Sequence, residues 1–208
     1  MEILEKIRNI LRHNTKKYRV SKLENKDFSI ISNNCCGSLV YRLLDMPFSS
    51  PTIGTIIGKK EFFEFCYHLC EYCGMDMEEL KEEDKKQYEY SAGILRGKNG
   101  LVDIIVYFPH ENNPKEAIAK WNRRRKRINY DNVFIMYDTH MYIAQNDFEN
   151  FKRIPYKNKV MFVEKNKGLN NPNVFEFNCY KKETYSGTVL FKEIFRIFNS
   201  LKLSVSGL

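Results

Sequence analysis

No stretch of this 208-residue chain is apolar for long enough to cross a bilayer, which takes about 20 consecutive residues. Residues 1–17 have no uninterrupted apolar core of the kind a secretory signal carries, so a cytoplasmic setting is expected. The six cysteines then read as reduced thiols and not as a disulfide framework. The common phosphate cradles, G-x-x-x-x-G-K-[ST] and G-x-G-x-x-G after a strand, are missing. So are G-x-S-x-G, H-E-x-x-H and a paired-Cys zinc ribbon, and with them the enzyme classes that those motifs mark. No internal repeat, low-complexity tract or segment too polar to fold occurs, which excludes a solenoid and a disordered tail.

What is present suits one folded α/β domain. Hydrophobic residues make up 43% and aromatics 14%, enough for a substantial core. Ile3, Leu4, Ile7, Ile10 and Leu11 recur at helical spacing, with charges on the other face, followed by Lys16, Lys17 and Arg19. Residues 1–27 are therefore expected to be an amphipathic helix and linker, docked on the body or laid on an anionic membrane surface. Residues 28–208 follow as a single domain. Strands are expected at 28–31, 52–57, 133–137, 159–163 and 174–177, and helices at 38–44, 61–73, 114–129, 148–153 and 188–201. Residues 90–96 and 101–108 flank Lys98-Asn99-Gly100 and read as a hairpin. The alternation predicts a mainly parallel sheet flanked by helices, with the hairpin as a local antiparallel exception.

In such a sheet, ligands bind beyond the carboxyl ends of the strands. The stretch Phe28-Ser29-Ile30-Ile31-Ser32-Asn33-Asn34-Cys35-Cys36-Gly37 passes from strand to helix through residues that tolerate a sharp turn. A thiol opening a helix is expected to have a depressed pKa and to act as a nucleophile; a buried, inert cysteine is the alternative. Other strand ends supply His110, Asp138 and His140, together with the amides of Asn33 and Asn34. These parts suit acyl transfer through Cys35 with His110 or His140 as base.

Net charge is +8, from 34 Lys and Arg against 26 Asp and Glu, and it is densest at Arg123-Arg124-Arg125-Lys126-Arg127. At about 100° per residue such a run sweeps round a helix, so its cations cannot all share one outer face. With Ala117, Trp121 and Ile128 marking the inward side, Arg124 and Arg125 flank it, at about −60° and +40° from Trp121. At least one is expected to hold an anionic ligand or a buried acid. Cys66, Cys70 and Cys73 have the C-x3-C-x2-C spacing of an iron–sulfur loop. They also fall on the seam of one aromatic-rich helix, which makes core packing the expected role, and neither a cluster nor another metal site is expected.

Taken together, Ile30 to Cys35, Gly37, Tyr41, Ser50-Pro51, Asp103-Ile104, His110, Glu116-Ala117, Trp121, the basic run ending at Asn129, Asp131-Asn132, residues 155–159 and residues 191–199 resemble a bacterial family catalogued as domain of unknown function 1919. Its members are often labelled exopolysaccharide biosynthesis proteins. Cys36 and Ser38 stand where the family typically has Trp and Gly, which alters the wall beside Cys35. The resemblance implies a role in cell-surface polysaccharide or capsule assembly. A transferase acting on an activated or lipid-linked sugar is expected, with coenzyme A thioester or nucleotide sugar as donor. In the acyl-transfer reading Cys35 is the nucleophile. In a glycosyltransferase reading Arg124, Arg125 and Arg127 hold a nucleotide-sugar diphosphate and Asp103 or Asp138 is base or metal ligand. Asn33, Asn34, Trp121 and Asn129 complete the expected ligand-binding set. A third reading is a non-catalytic basic module for nucleic acid or an anionic membrane; of these two partners nucleic acid is not expected, and peripheral contact with the inner face of the cell membrane is.

Overall fold

The run Ser29-Ile30-Ile31-Ser32 offers no polar face, so as a strand it must be covered on both sides. In a computed structural model it is β1 (Ser29–Ser32), buried at all four positions. The structure describes residues 20–177, apart from 22, 24, 81–89, 140–142, 145 and 165–167. The helices expected before residue 20 and at 188–201, and His140, lie outside the described residues.

β1 is followed by α1 (Cys36–Leu44), β2 (Ile56–Ile57), α2 (Lys59–Tyr67), α3 (Leu69–Gly74), β3 (Glu78–Glu79), β4 (Ser91–Leu95), β5 (Ile104–Phe108) and α4 (Pro114–Arg124). Two short 3-10 turns, Arg125–Arg127 and Tyr130–Asn132, lead into β6 (Val133–Asp138), α5 (Asp147–Arg153), β7 (Asn158–Glu164) and β8 (Val174–Phe177). One sheet is parallel, in the order β1-β6-β7-β8, and the other antiparallel, in the order β2-β5-β4-β3. The chain is thus an α/β protein with a parallel sheet flanked by helices, as the alternation predicts.

Side chains of successive strand residues point to opposite faces, and the parallel sheet divides its core accordingly. Ile30, Phe134, Met136, Val160 and Phe162 meet α1 on one face. Ile31, Val133, Ile135, Tyr137, Met161 and Val163 meet α2, α3, α4, α5 and the antiparallel sheet on the other. Val20 and Leu23 pack against the α1 side.

β1 is an edge strand, and its outer backbone groups are satisfied by hydroxyls. The Ile30 amide donates to Tyr41 Oη at 2.9 Å and the Ser32 amide to Thr52 Oγ1 at 3.1 Å. This corrects the strand expected at 52–57. Thr52 serves the β1 edge from a turn, and only Ile56 and Ile57 are extended, antiparallel to β5. The helix expected at 61–73 is broken at His68, which leaves helical geometry at φ −124° and ψ 41°. Asn113 and Pro114 start α4 as N-cap and first-turn proline, but the helix expected to reach 129 ends at Arg124 and tightens into a 3-10 turn.

Candidate functional site

The turn from β1 into α1 is held by its own side chains. Asn33 extends the parallel ladder, donating from Nδ2 to the Asp138 carbonyl at 2.9 Å and accepting the Asp138 amide at Oδ1 at 2.9 Å. Asn34 donates to Asp138 Oδ2 at 2.8 Å and accepts the Cys36 amide at 2.9 Å. The Gly37 amide donates to Ser32 Oγ at 3.3 Å and that of Ser38 to the Cys35 carbonyl at 3.1 Å. The first amides of α1 and both asparagine amides are therefore spent on fixing the turn. Asn33, Asn34 and Asp138 form its frame. Gly37 is required by space: a Cβ there would lie 2.6 Å from Ser32 Oγ. Gly37→Ala is expected to destabilise the fold by about 1–3 kcal/mol, the usual cost of overpacking, read by urea denaturation.

Of the two thiols on this turn, Cys36 is buried, and its pKa is pushed well up by burial and by the Asp138 carboxylate, whose Oδ2 lies 3.8 Å from the sulfur. Cys35 is half-buried, and its Sγ stands 3.2 Å from His110 Nε2. Its pKa is not depressed, as helix-end reasoning expects. Burial raises it, and the Arg42 charge offsets this only in part. The side chain that meets the thiol at hydrogen-bond distance is the imidazole of His110.

His110 arrives from the antiparallel sheet, two residues beyond β5, on a turn closed by the Glu111 amide donating to the Phe108 carbonyl at 3.2 Å. The two sheets are joined at this point, since the Ile57 amide donates to the Asn33 carbonyl at 2.9 Å. Between them runs the segment Ile53-Gly54-Thr55. The Thr55 carbonyl lies 3.9 Å from Cys35 Sγ, and the open side of Gly54, at φ 72°, faces His110 Cδ2. The Thr55 hydroxyl is buried without a hydrogen-bond partner among the described residues.

The other expected site residues lie elsewhere or are occupied. Asp103 closes the β4–β5 hairpin at the opposite end of β5 from His110; a 2.7 Å hydrogen bond from Arg96 and another from the Gly97 amide hold its pKa down. Trp121 is core, tilted against Phe65 with ring centres 5.9 Å apart. Asn129 sits at the amino end of the parallel sheet, its amide donating to Ser29 Oγ and its Nδ2 to the Asp27 carbonyl. Arg125 turns inward and donates to the Cys73 carbonyl at 2.7 Å and to Asp76 Oδ1. Asp76 is itself exposed, so the acid it meets is not a buried one. Arg125→Gln is accordingly expected to cost about 1–3 kcal/mol of stability and to leave anion binding unchanged, read by melting curves with and without pyrophosphate. Arg124 and Arg127 face the segment 48–53. Arg124 donates to the Ile53 carbonyl at 3.1 Å and Arg127 to the Phe48 carbonyl at 3.4 Å.

Cys66 and Cys73 are buried in the helix-side core and Cys70 is exposed, so the three thiols of the C-x3-C-x2-C spacing are divided between core and solvent. Among the described residues no three His, Cys, Asp or Glu side chains are grouped to hold a metal ion. No helix among them is long and apolar enough to cross a membrane.

Fold and site together define an α/β protein with a thiol–imidazole pair where a parallel sheet meets an antiparallel one. The chain belongs to the family described as domain of unknown function DUF1919, whose model matches residues 6–195. It is also similar to an uncharacterized protein of Haemophilus influenzae, 29% identical over 178 residues that cover 79% of this chain and 82% of the relative.

Proposed function

We propose that the protein is an acyltransferase with Cys35 as nucleophile and His110 as general base, acting on a sugar or glycan-lipid acceptor in cell-surface polysaccharide assembly. The observation that carries this reading is the 3.2 Å approach of Cys35 Sγ to His110 Nε2 at the carboxyl edge of the parallel sheet. His110 takes the thiol proton as sulfur attacks the acyl carbon of a thioester, and returns it to the departing thiol of the donor. It then takes the proton of an acceptor hydroxyl, which attacks the cysteinyl thioester, and gives it to the departing Cys35 sulfur. The glycan acceptor is what the sequence's resemblance to a family often labelled exopolysaccharide biosynthesis implies. The free thiols of the described cysteines suit a cytoplasmic setting, with the amphipathic residues before 20 as the means of meeting the membrane's inner face. Glycosyl transfer draws less support, because Asp103 stands away from the turn, the Asp138 carboxylate is bonded by Asn34, and Arg125 is committed to Cys73 and Asp76.

The test is to incubate the full chain with short acyl-coenzyme A thioesters and follow intact mass. One acyl group should appear on Cys35 and be removed by hydroxylamine. An absence of any adduct across acyl lengths, with Cys35 still open to iodoacetamide, would leave the thiol without this chemistry.

A further inference from the structure

The basic run keeps two guanidinium groups that have no carboxylate within 4 Å among the described residues. Arg124 is half-buried, with its guanidinium carbon 5.2 Å above the centre of the Phe48 ring. One of its donors goes to the Ile53 carbonyl, and one donor of Arg127 goes to the Phe48 carbonyl. A guanidinium carries five N–H donors, so most of each fork is left over. Arg123 likewise has no carboxylate within 4 Å among the described residues, whereas Arg96 meets both Glu78 and Asp103 and Arg125 meets Asp76. Burial and the neighbouring charges of Arg123 and Arg127 both weigh against the charge on Arg124, and Glu111 offsets them only partly. Desolvating a cation among like charges is unfavourable unless an anion completes the arrangement.

Position gives this cluster its meaning. Ile53, which receives Arg124, is two residues from Thr55, whose carbonyl faces Cys35 Sγ, and Gly54 between them faces His110. With about 3.8 Å between successive Cα atoms and up to about 2.7 Å from each Cα to its carbonyl oxygen, Arg124 Nη1 lies within about 20 Å of the Cys35 sulfur. Two planar forks on one segment match two linked phosphates, which Lys side chains or a single fork match less well.

We propose that Arg124 and Arg127 form a diphosphate-binding subsite on the segment that borders the thiol, and that it anchors the donor. Under the acyl-transfer reading, on which the donor's identity rests, that donor is a thioester carried on a diphosphate-bearing arm, as in coenzyme A. A nucleoside diphosphate shares the same chemistry.

Isothermal titration of the full chain with inorganic pyrophosphate, ADP, UDP and coenzyme A, at fixed ionic strength, tests it. Coenzyme A should bind more tightly than pyrophosphate. Arg124→Gln and Arg127→Gln should each weaken both about ten- to a hundredfold, the loss expected for a charge-assisted hydrogen bond. Arg124→Lys, which keeps the charge and loses the fork, should fall nearly as far. Arg123→Gln removes the same charge from the solvent side and should change affinity by less than about threefold. Melting curves identify a variant that has merely lost its fold, and Arg124→Lys then carries the comparison. No binding of any of the four by the wild type overturns the proposal. So do equal small losses at all three arginines that track salt, the mark of a diffuse basic face. Arginine-dependent binding of ADP and UDP without coenzyme A overturns the thioester donor and keeps the subsite. Cys35→Ser should bind as the wild type does, so the acyl adduct on Cys35 and the anion site can fail separately.

Discussion

Cys35→Ser is expected to fold like the wild type and to lose acyl transfer by at least about a thousandfold, because a hydroxyl is a far weaker nucleophile than a thiol at neutral pH. Folding should survive for a local reason. The Cys35 side chain is half-buried, and among the described residues its sulfur meets the Thr55 carbonyl at 3.9 Å and His110. The turn is held by Asn33, Asn34, Ser32 and Ser38, none of which the substitution touches. The change in stability should stay within about 0.5 kcal/mol, as for substitutions away from the core and its networks. Cys36→Ser is the matched control. It removes the buried neighbour, should spare the acyl adduct, and should cost stability because it leaves a hydroxyl in an apolar, Asp138-facing site. Retained transfer by Cys35→Ser, with the adduct moved to another residue, would assign the chemistry elsewhere.

How much of this was legible in the sequence depends on how local each feature is. The β1–α1 turn was, because an apolar β-branched run, two asparagines and a glycine are each a local signal. The parallel sheet followed from alternation alone. The direction of β2 was not, because a β-branched segment such as Thr52-Ile53-Gly54-Thr55-Ile56-Ile57 looks the same whether it joins a sheet or supplies hydroxyls to a strand edge. Nothing near His68 in the sequence marks the break between α2 and α3. The helical geometry that placed Arg124 and Arg125 beside the inward face held for the direction of both side chains. It could not say that the Cys73 carbonyl, at the end of a different helix, would claim Arg125. The framing role of the two asparagines was not legible because their partner, Asp138, lies over a hundred residues away, at separations of 105 and 104. The pairing of Cys35 with His110 spans 75 residues and two sheets, and only the fold brings it about.

That pairing makes a sharper prediction in the pH dependence of the thiol. Burial holds the Cys35 pKa above its ordinary value of 9.0, so an unassisted thiol there would be almost wholly protonated at pH 7. In His110→Gln the rate of alkylation by iodoacetamide should therefore be low at neutrality and climb about tenfold per pH unit through pH 9 and beyond, following the thiolate. In the wild type His110 Nε2, at 3.2 Å, can accept the proton as sulfur attacks, so reactivity should already be present near neutrality. The two proteins should differ by on the order of a hundredfold at pH 7 and converge at high pH, where the thiolate forms without help. Gln keeps a polar group of similar reach, so a loss of rate cannot be assigned to an emptied site. Arg42→Gln should act in the same direction and less strongly, since its charge offsets only part of the burial that raises the thiol. Superimposable pH profiles for wild type and His110→Gln would show that the imidazole does not assist, and Cys35 would then be the inert cysteine of an ordinary strand-to-helix turn.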